Sequence, residues 1–202
     1  GKTCVKPKAA SRALDGDMNG GAAAGEVAPD IGIRLDANGR WTVDTANRAF
    51  ERLAAFDVSY VDQRLPASDL GRLTALPDTG VGVALDEGLY EHGIDAVLDS
   101  EADHLVLKPM ALGGPDVALE LARLARGAGI EPVVTTTIDG PIARAAAVHV
   151  AAAIPAVSAC GLATGSLLAT GDIPDPAPVG GGVVTVPQKD GNTPAVLLAD
   201  YA

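Results

Sequence analysis

The sequence predicts an α/β fold: a (β/α) barrel, incomplete, with about seven strands in view. Three observations predict it. From residue 30 onward, short apolar runs alternate with stretches of helical periodicity. The charged residues that end successive runs, Asp36, Asp62, Asp86 and Lys108, lie 26, 24 and 22 residues apart, the period of a strand–helix unit in a parallel sheet. Two later stretches open on a proline, Pro115 and Pro141, and the first is followed by Gly127 and Gly129, the asymmetry of helix starts and stops.

The first expected strand lies within residues 3–8. In "CVKPK" the alternation of a strand puts Cys4, Lys6 and Lys8 on one face and Val5 and Pro7 on the other. Two ammonium groups on one face need an anion between or beyond them, and Pro7 removes a ladder donor, which suits an edge strand. The next stretch, "DGDMNGGAAAGEVAPD", carries four glycines, each costing about 1 kcal/mol in a helix relative to alanine, so a short or frayed helix is expected there. Strands follow at 31–35, 58–61, 82–85, 105–107, 132–136 and 156–160. Between them come a helix over "TVDTANRAFERLAAF" with Thr42 as N-cap, a short one over "SDLGRLTAL" with Ser68 as cap, and a third over "GIDAVLDSEA". Helices over "GPDVALELARLARGAG" and "GPIARAAAVHVAAAIP" and a short one beginning at "GSLLA" complete the series. Residues 1–170 are expected to form the partial barrel and 171–202 a Gly/Pro-rich tail, with "GVVTVP" as its one strand-like stretch.

Composition narrows the function. There are 15 Lys+Arg against 26 Asp+Glu, a formal net charge of -11, which argues against nucleic acid as a partner. The acid excess, with abundant Ala and Val and few aromatics, suits a halophilic protein kept soluble at high salt. No run of 18 apolar residues exists, so neither a membrane span nor a membrane partner is expected. No signal peptide is visible. Two distant cysteines, Cys4 and Cys160, fit a reduced, cytoplasmic setting. The three histidines are dispersed, which gives a zinc site little support.

Lysine is scarce: Lys2, Lys6, Lys8, Lys108 and Lys189 are all there are, against ten arginines. A lysine ending an apolar run is therefore notable. In a (β/α) barrel the C-terminal strand ends form one mouth, where catalytic groups gather. Acids also cap helices that follow strands. That explains one aspartate easily, but three aspartates, a lysine and Asn38 less well. Three carboxylates from successive strand ends suit Mg²⁺, a hard cation taking oxygen ligands. Two lysines near such a site suit proton abstraction beside a carboxylate.

"KPK", "RLDANGRW", "YVDQRLPASDL", "VALDEGL" and "LVLKPMALGG", with the later "TTTIDGPIARAAAVHVAAAI" and "ACGLAT", resemble in order the strand-end motifs of the enolase superfamily, muconate lactonizing enzyme subgroup, and among these the o-succinylbenzoate synthases. The resemblance spans roughly residues 3–170. It implies a barrel of the enolase C-terminal type and a Mg²⁺-dependent lyase of menaquinone biosynthesis. That enzyme dehydrates a cyclohexadiene carboxylate to o-succinylbenzoate by lysine abstraction of an α-proton, through a metal-stabilised enediolate. It implies Lys8 as base and then acid, with Lys6 beside it lowering its pKa, and Lys108 as a cation facing the intermediate. Asp36, Asp62 and Asp86 are implied metal ligands, Asn38 and Glu87 supports of that shell, and Thr136, Thr137 and Gly161 substrate contacts. The chain departs from the pattern at Asp62 and Asp139, where glutamate is usual, and at Pro7. The first barrel strand and the N-terminal capping domain of the family are expected to lie outside it.

Three readings stay open on sequence. One is the synthase acting on a small carboxylate. The second is a racemase or epimerase of N-acylamino acids or dipeptides, using the same lysines on opposite faces. The third is an inactive barrel fragment or partner-binding remnant, with open strand edges that invite homo-oligomers or a missing N-terminal segment.

Overall fold

The computed structural model describes residues 4–9, 31–75, 78–169 and 174–188; the glycine-rich run 15–30 and the frayed helix expected there lie outside them. The strands follow in chain order: β1 (Cys4–Val5), β2 (Gly32–Asp36), β3 (Val58–Asp62), β4 (Gly82–Leu85), β5 (His104–Leu107) and β6 (Glu131–Val134). Neighbours from β1 to β5 pair in parallel. This is the incomplete (β/α) barrel expected from the alternating pattern. The described chain divides into two compact units, Lys2–Leu105 with Ala128–Ile130, and Val106–Gly127 with Glu131–Ala202.

The first unit holds β1 to β4 and the start of β5. Its β1 is shorter than the expected 3–8, with Lys8 adding an isolated parallel bridge to Asp36. Pro7 has no N–H to give, but its carbonyl accepts from Asp36 N at 3.1 Å, and Ala9 N returns a bond to Asp36 O at 2.7 Å. Helix α1 (Val43–Leu53) opens as expected: Thr42 is extended and its hydroxyl accepts from Thr45 N at 3.2 Å. It buries Ala46, Ala49, Phe50 and Leu53, the spacing of one helix face. Phe50 and Leu53 are each 1% exposed, and burying such side chains contributes about 1.5–3 kcal/mol apiece. The segment at Ser68 is a 3₁₀ helix, Ala67–Ala75, kinked at Asp69; it is short, and Gly71 in its middle weakens any α-helical continuation. Helix α2 (Glu87–Leu98) begins six residues before the expected Gly93. Gly93, at φ 79, is a kink inside it rather than its start. The core of this unit includes Leu35, Phe50, Leu53, Val61, Leu65 and Leu85.

The second unit holds the end of β5 beside β6, where Thr135 N bonds Leu107 O at 2.9 Å. Helices α3 (Pro109–Leu112), α4 (Pro115–Gly127) and α5 (Pro141–Ala153) each open on proline. Helix α4 buries Ala118, Ala122 and Ala125. The expected seventh strand, 156–160, does not form as a run. Ala156 has φ 48, which breaks the pleat, and the Glu131 carboxylate takes both the N–H and the hydroxyl of Ser158. What remains is an isolated parallel bridge between Thr135 and Gly161. A Cβ at Gly161 would lie 2.5 Å from Thr135 Oγ1, so the approach requires glycine. The short helix expected at "GSLLA" is one 3₁₀ turn, Gly165–Leu167. In the tail, β7 (Val179–Gly180) and β8 (Val183–Val184) form a hairpin whose turn, Gly181 and Gly182, has φ 59 and 85, as a two-residue hairpin turn demands. Arg144 of α5, 1% exposed, fastens the segment before that hairpin: it pairs with Asp175 and donates to Ala177 O at 2.6 Å and Leu162 O at 3.1 Å. No helix among the described residues is long and apolar enough to cross a membrane.

Candidate active site

The parallel register sets Asp36 opposite Asp62 and bridges Lys8 to Asp36, so the ends of β1, β2 and β3 bring their charged residues together. The alternation read at the start of the chain holds: Lys6 and Lys8 both reach the Asp36 carboxylate. Lys8 Nζ donates to Asp36 Oδ2 at 2.7 Å and to Asn38 Oδ1 at 2.8 Å. Lys6 Nζ donates to Asp62 Oδ2 at 2.6 Å and lies 3.3 Å from Asp36 Oδ2. Asp36 therefore bridges two ammonium groups that would otherwise repel. Asn38, at φ 48, returns its backbone N–H to Asp36 Oδ1 at 3.1 Å, a local turn that asparagine tolerates well.

Burial separates the members. Asp62 is 0% exposed, Asp36 and Asp86 are 4% exposed, while the Lys8 side chain is 61% exposed. Burial pushes the Asp62 carboxyl up to about 7; Lys6 pulls it down, and the neighbouring Asp86 and Asp36 charges push it up. Burial also works against the Asp36 carboxylate, but Lys6, Lys8 and the Asn38 N–H together hold it below the ordinary range. Burial would lower Lys6, yet the Asp62 and Asp36 charges outweigh it and raise its pKa. Tyr60, on β3, has the Arg34 guanidinium of β2 4.8 Å over its ring and is pushed up to about 12, chiefly by burial.

Asp36, Asp62 and Asp86 are buried carboxylates, the donor type that a hard divalent cation takes. Asp62 Oδ1 is buried and makes no hydrogen bond, a donor atom that such a cation would use. The compensating charge in this arrangement comes from Lys6 and Lys8, and the Asp36 and Asp62 carboxylates are turned onto them. Among the described residues no three His, Cys, Asp or Glu side chains are grouped so as to hold a metal. Glu87, in the first turn of α2, has a buried Oε2 without a hydrogen bond.

The remaining expected site residues belong to the second unit. Lys108 directly follows β5 and occupies the N-cap position of α3. Thr136, 7% exposed, shares a 2.8 Å hydroxyl contact with Thr164 and accepts from Ile138 N. Thr137 is exposed and bonds the Asp139 carboxylate. Gly161 serves the close approach to Thr135 described above. Sequence reasoning missed Gln63, a buried amide with φ 40 that ties β3 to the start of α2. It stands in the quoted "YVDQRLP", directly after Asp62, but nothing in the pattern of a single sequence reveals where a side chain after a strand will find its partners.

The chain is similar to the o-succinylbenzoate synthase of Thermobifida fusca, 38% identical over 162 residues, covering 78% of this chain and 50% of that protein. Its fold is similar to that of the muconate lactonizing enzyme from Pseudomonas putida, with a TM-score of 0.85 and 24% identity over 100% of this chain and 58% of the other. It is also similar to the dipeptide epimerase from Enterococcus faecalis, solved in complex with Mg and the dipeptide L-Leu-L-Tyr, with a TM-score of 0.73 and 28% identity over 80% and 47% of the two chains. The chain spans about half the length of the curated relatives it matches. The model of the "Enolase C-terminal domain-like" family matches residues 1–193, and the chain belongs to that family.

Proposed function

We propose that this chain carries the catalytic set of an o-succinylbenzoate synthase-type lyase. The observation that carries the reading is the convergence of Lys6, Lys8, Asp36, Asn38 and Asp62 through bonds of 2.6–2.8 Å at three neighbouring strand ends. Similarity to a named synthase supports the choice of reaction. Asp36, Asp62 and Asp86 would hold Mg²⁺, which when bound would offset negative charge gathering on the substrate carboxylate. Lys8, oriented by Asp36 and Asn38, would first release one proton from its ammonium and then, as the neutral amine, take the α-proton of a succinyl-substituted hydroxycyclohexadiene carboxylate at Nζ. It then returns a proton to the departing hydroxyl, which leaves as water and yields the aromatic ring of o-succinylbenzoate. Lys6 holds Asp62 and Asp36 in register beside it. By the family resemblance, Lys108 would be a second cation for the ring and carboxylate of the substrate. Menaquinone biosynthesis is the setting this reaction implies, and the free thiol Cys4 accords with a reducing cytoplasm.

The dipeptide epimerase similarity favours a second reading, in which Lys8 and Lys108 exchange the α-proton of an N-acylated amino acid or dipeptide from opposite faces. The test is turnover of both substrate types by the purified chain, alone and joined to any segment encoded beside it, with Mg²⁺. Lys8→Ala and Lys108→Ala should each abolish turnover of an active form while leaving Mg²⁺ binding near the parental level. Retained dehydration by Lys8→Ala refutes the assignment. Racemisation or epimerisation without dehydration moves the function to the second reading. Mg²⁺ binding without any turnover in every form identifies an inactive or partner-binding remnant.

A further inference from the structure

Asp86 stands at the N-cap position of α2, yet its side chain makes no capping hydrogen bond. The cap comes from a different strand end. Gln63, one residue past β3 and 3% exposed, accepts at Oε1 from the backbone N–H of Asp86 at 3.1 Å and of Gly88 at 3.0 Å. Its Nε2 donates to Leu65 O at 2.9 Å. Its backbone N donates to Ala84 O at 2.9 Å, and its carbonyl accepts from Gly39 N at 2.5 Å. One residue thus joins the ends of β2, β3 and β4 to the first turn of α2. Its left-handed φ of 40 is a conformation that a non-glycine residue keeps only where its surroundings hold it.

The first N–H groups of a helix need acceptors from outside the helix. An acid placed between a strand and a helix ordinarily serves as that acceptor. Here a neutral amide does so, adding no further negative charge beside Asp62 and Asp86. We infer that Gln63 is a positioning residue for Asp86: by capping α2 from the end of β3 it relieves the Asp86 carboxylate of that duty and fixes the backbone from which it serves a divalent cation. The inference rests on the proposed reading of Asp36, Asp62 and Asp86 as ligands.

The test uses the full chain, its Gln63→Met, Gln63→Glu and Asp86→Asn variants, and Mn²⁺ as the probe. Binding is read by calorimetry and by the Mn²⁺ electron paramagnetic resonance signal. Amide hydrogen exchange at Asp86 and Gly88 is read without metal. Gln63→Met should weaken Mn²⁺ binding by about 10–100-fold and lose amide protection at both positions. Gln63→Glu keeps an acceptor oxygen and should keep that protection, and Asp86→Asn should keep it too. A folded Gln63→Met variant with parental Mn²⁺ affinity overturns the inference, as does loss of protection in Asp86→Asn. Should Gln63→Met not fold, the exchange patterns of Gln63→Glu and Asp86→Asn decide: protection in both supports the cap, and loss in either overturns it. If the parent chain itself binds no Mn²⁺, the metal reading fails. Exchange in Gln63→Met then decides the cap: lost protection supports it and kept protection overturns it.

Discussion

Arg144 is the most heavily committed charge in the second unit, and replacing it by alanine gives the sharpest stability prediction. The side chain is 1% exposed, and it donates to Leu162 O, Ala177 O and the Asp175 carboxylate. In Arg144→Ala the two carbonyls lose their donor in a dry site, each worth about 1–3 kcal/mol if left unsatisfied. The Asp175 side chain, 41% exposed, regains water and adds little. Because the tail can shift and rehydrate, the lower part of the summed range applies, and the expected loss is about 2–4 kcal/mol. Asp175→Asn leaves an acceptor in place and should cost about 1–2 kcal/mol. The double variant Arg144→Met with Asp175→Asn should cost less than the sum, since it strands no buried charge. Urea unfolding at neutral pH measures all three, and limited proteolysis within 174–188 reports release of the tail. A loss under about 1 kcal/mol for Arg144→Ala, or equal losses for Arg144→Ala and Asp175→Asn, would refute the argument that this arginine fastens the tail.

Asp62 predicts a pH effect. Its carboxyl is raised from 3.8 to about 7, so in that window the folded chain keeps a proton that the unfolded chain has released. Its contribution makes stability fall as pH rises from 3.8 toward about 7 and level off above. Asp62→Asn should flatten that slope in thermal melts between those limits; an unchanged slope counts against the raised carboxyl. Gly161→Ala puts a Cβ 2.5 Å from Thr135 Oγ1 and should cost about 1–3 kcal/mol by overpacking, with Thr135→Ala recovering part of it; a neutral Gly161→Ala would refute the close approach. With a net charge of -11, the chain should melt higher as KCl is raised, because screening relieves self-repulsion; a midpoint independent of salt would remove the high-salt reading.

Much of this protein is legible in its sequence. Strand–helix alternation fixes a parallel α/β fold because apolar periodicity is a local property, set by which residues can face a core. Period-two alternation also places Lys6 and Lys8 on one side, and the even spacing of Asp36, Asp62 and Asp86 marks successive strand ends. Other features depend on neighbours distant in sequence. That Asp36 bridges both lysines follows from register between strands 28 residues apart. That 156–160 fails to form a strand follows from the Glu131 carboxylate capturing Ser158. That α2 starts at Glu87 rather than Gly93 follows from Gln63, whose amide oxygen supplies the missing cap from another strand. Local propensity names the elements and the chemistry their ends can offer; only the folded chain decides which donor meets which acceptor, because hydrogen bonds and buried charges are satisfied across the sheet.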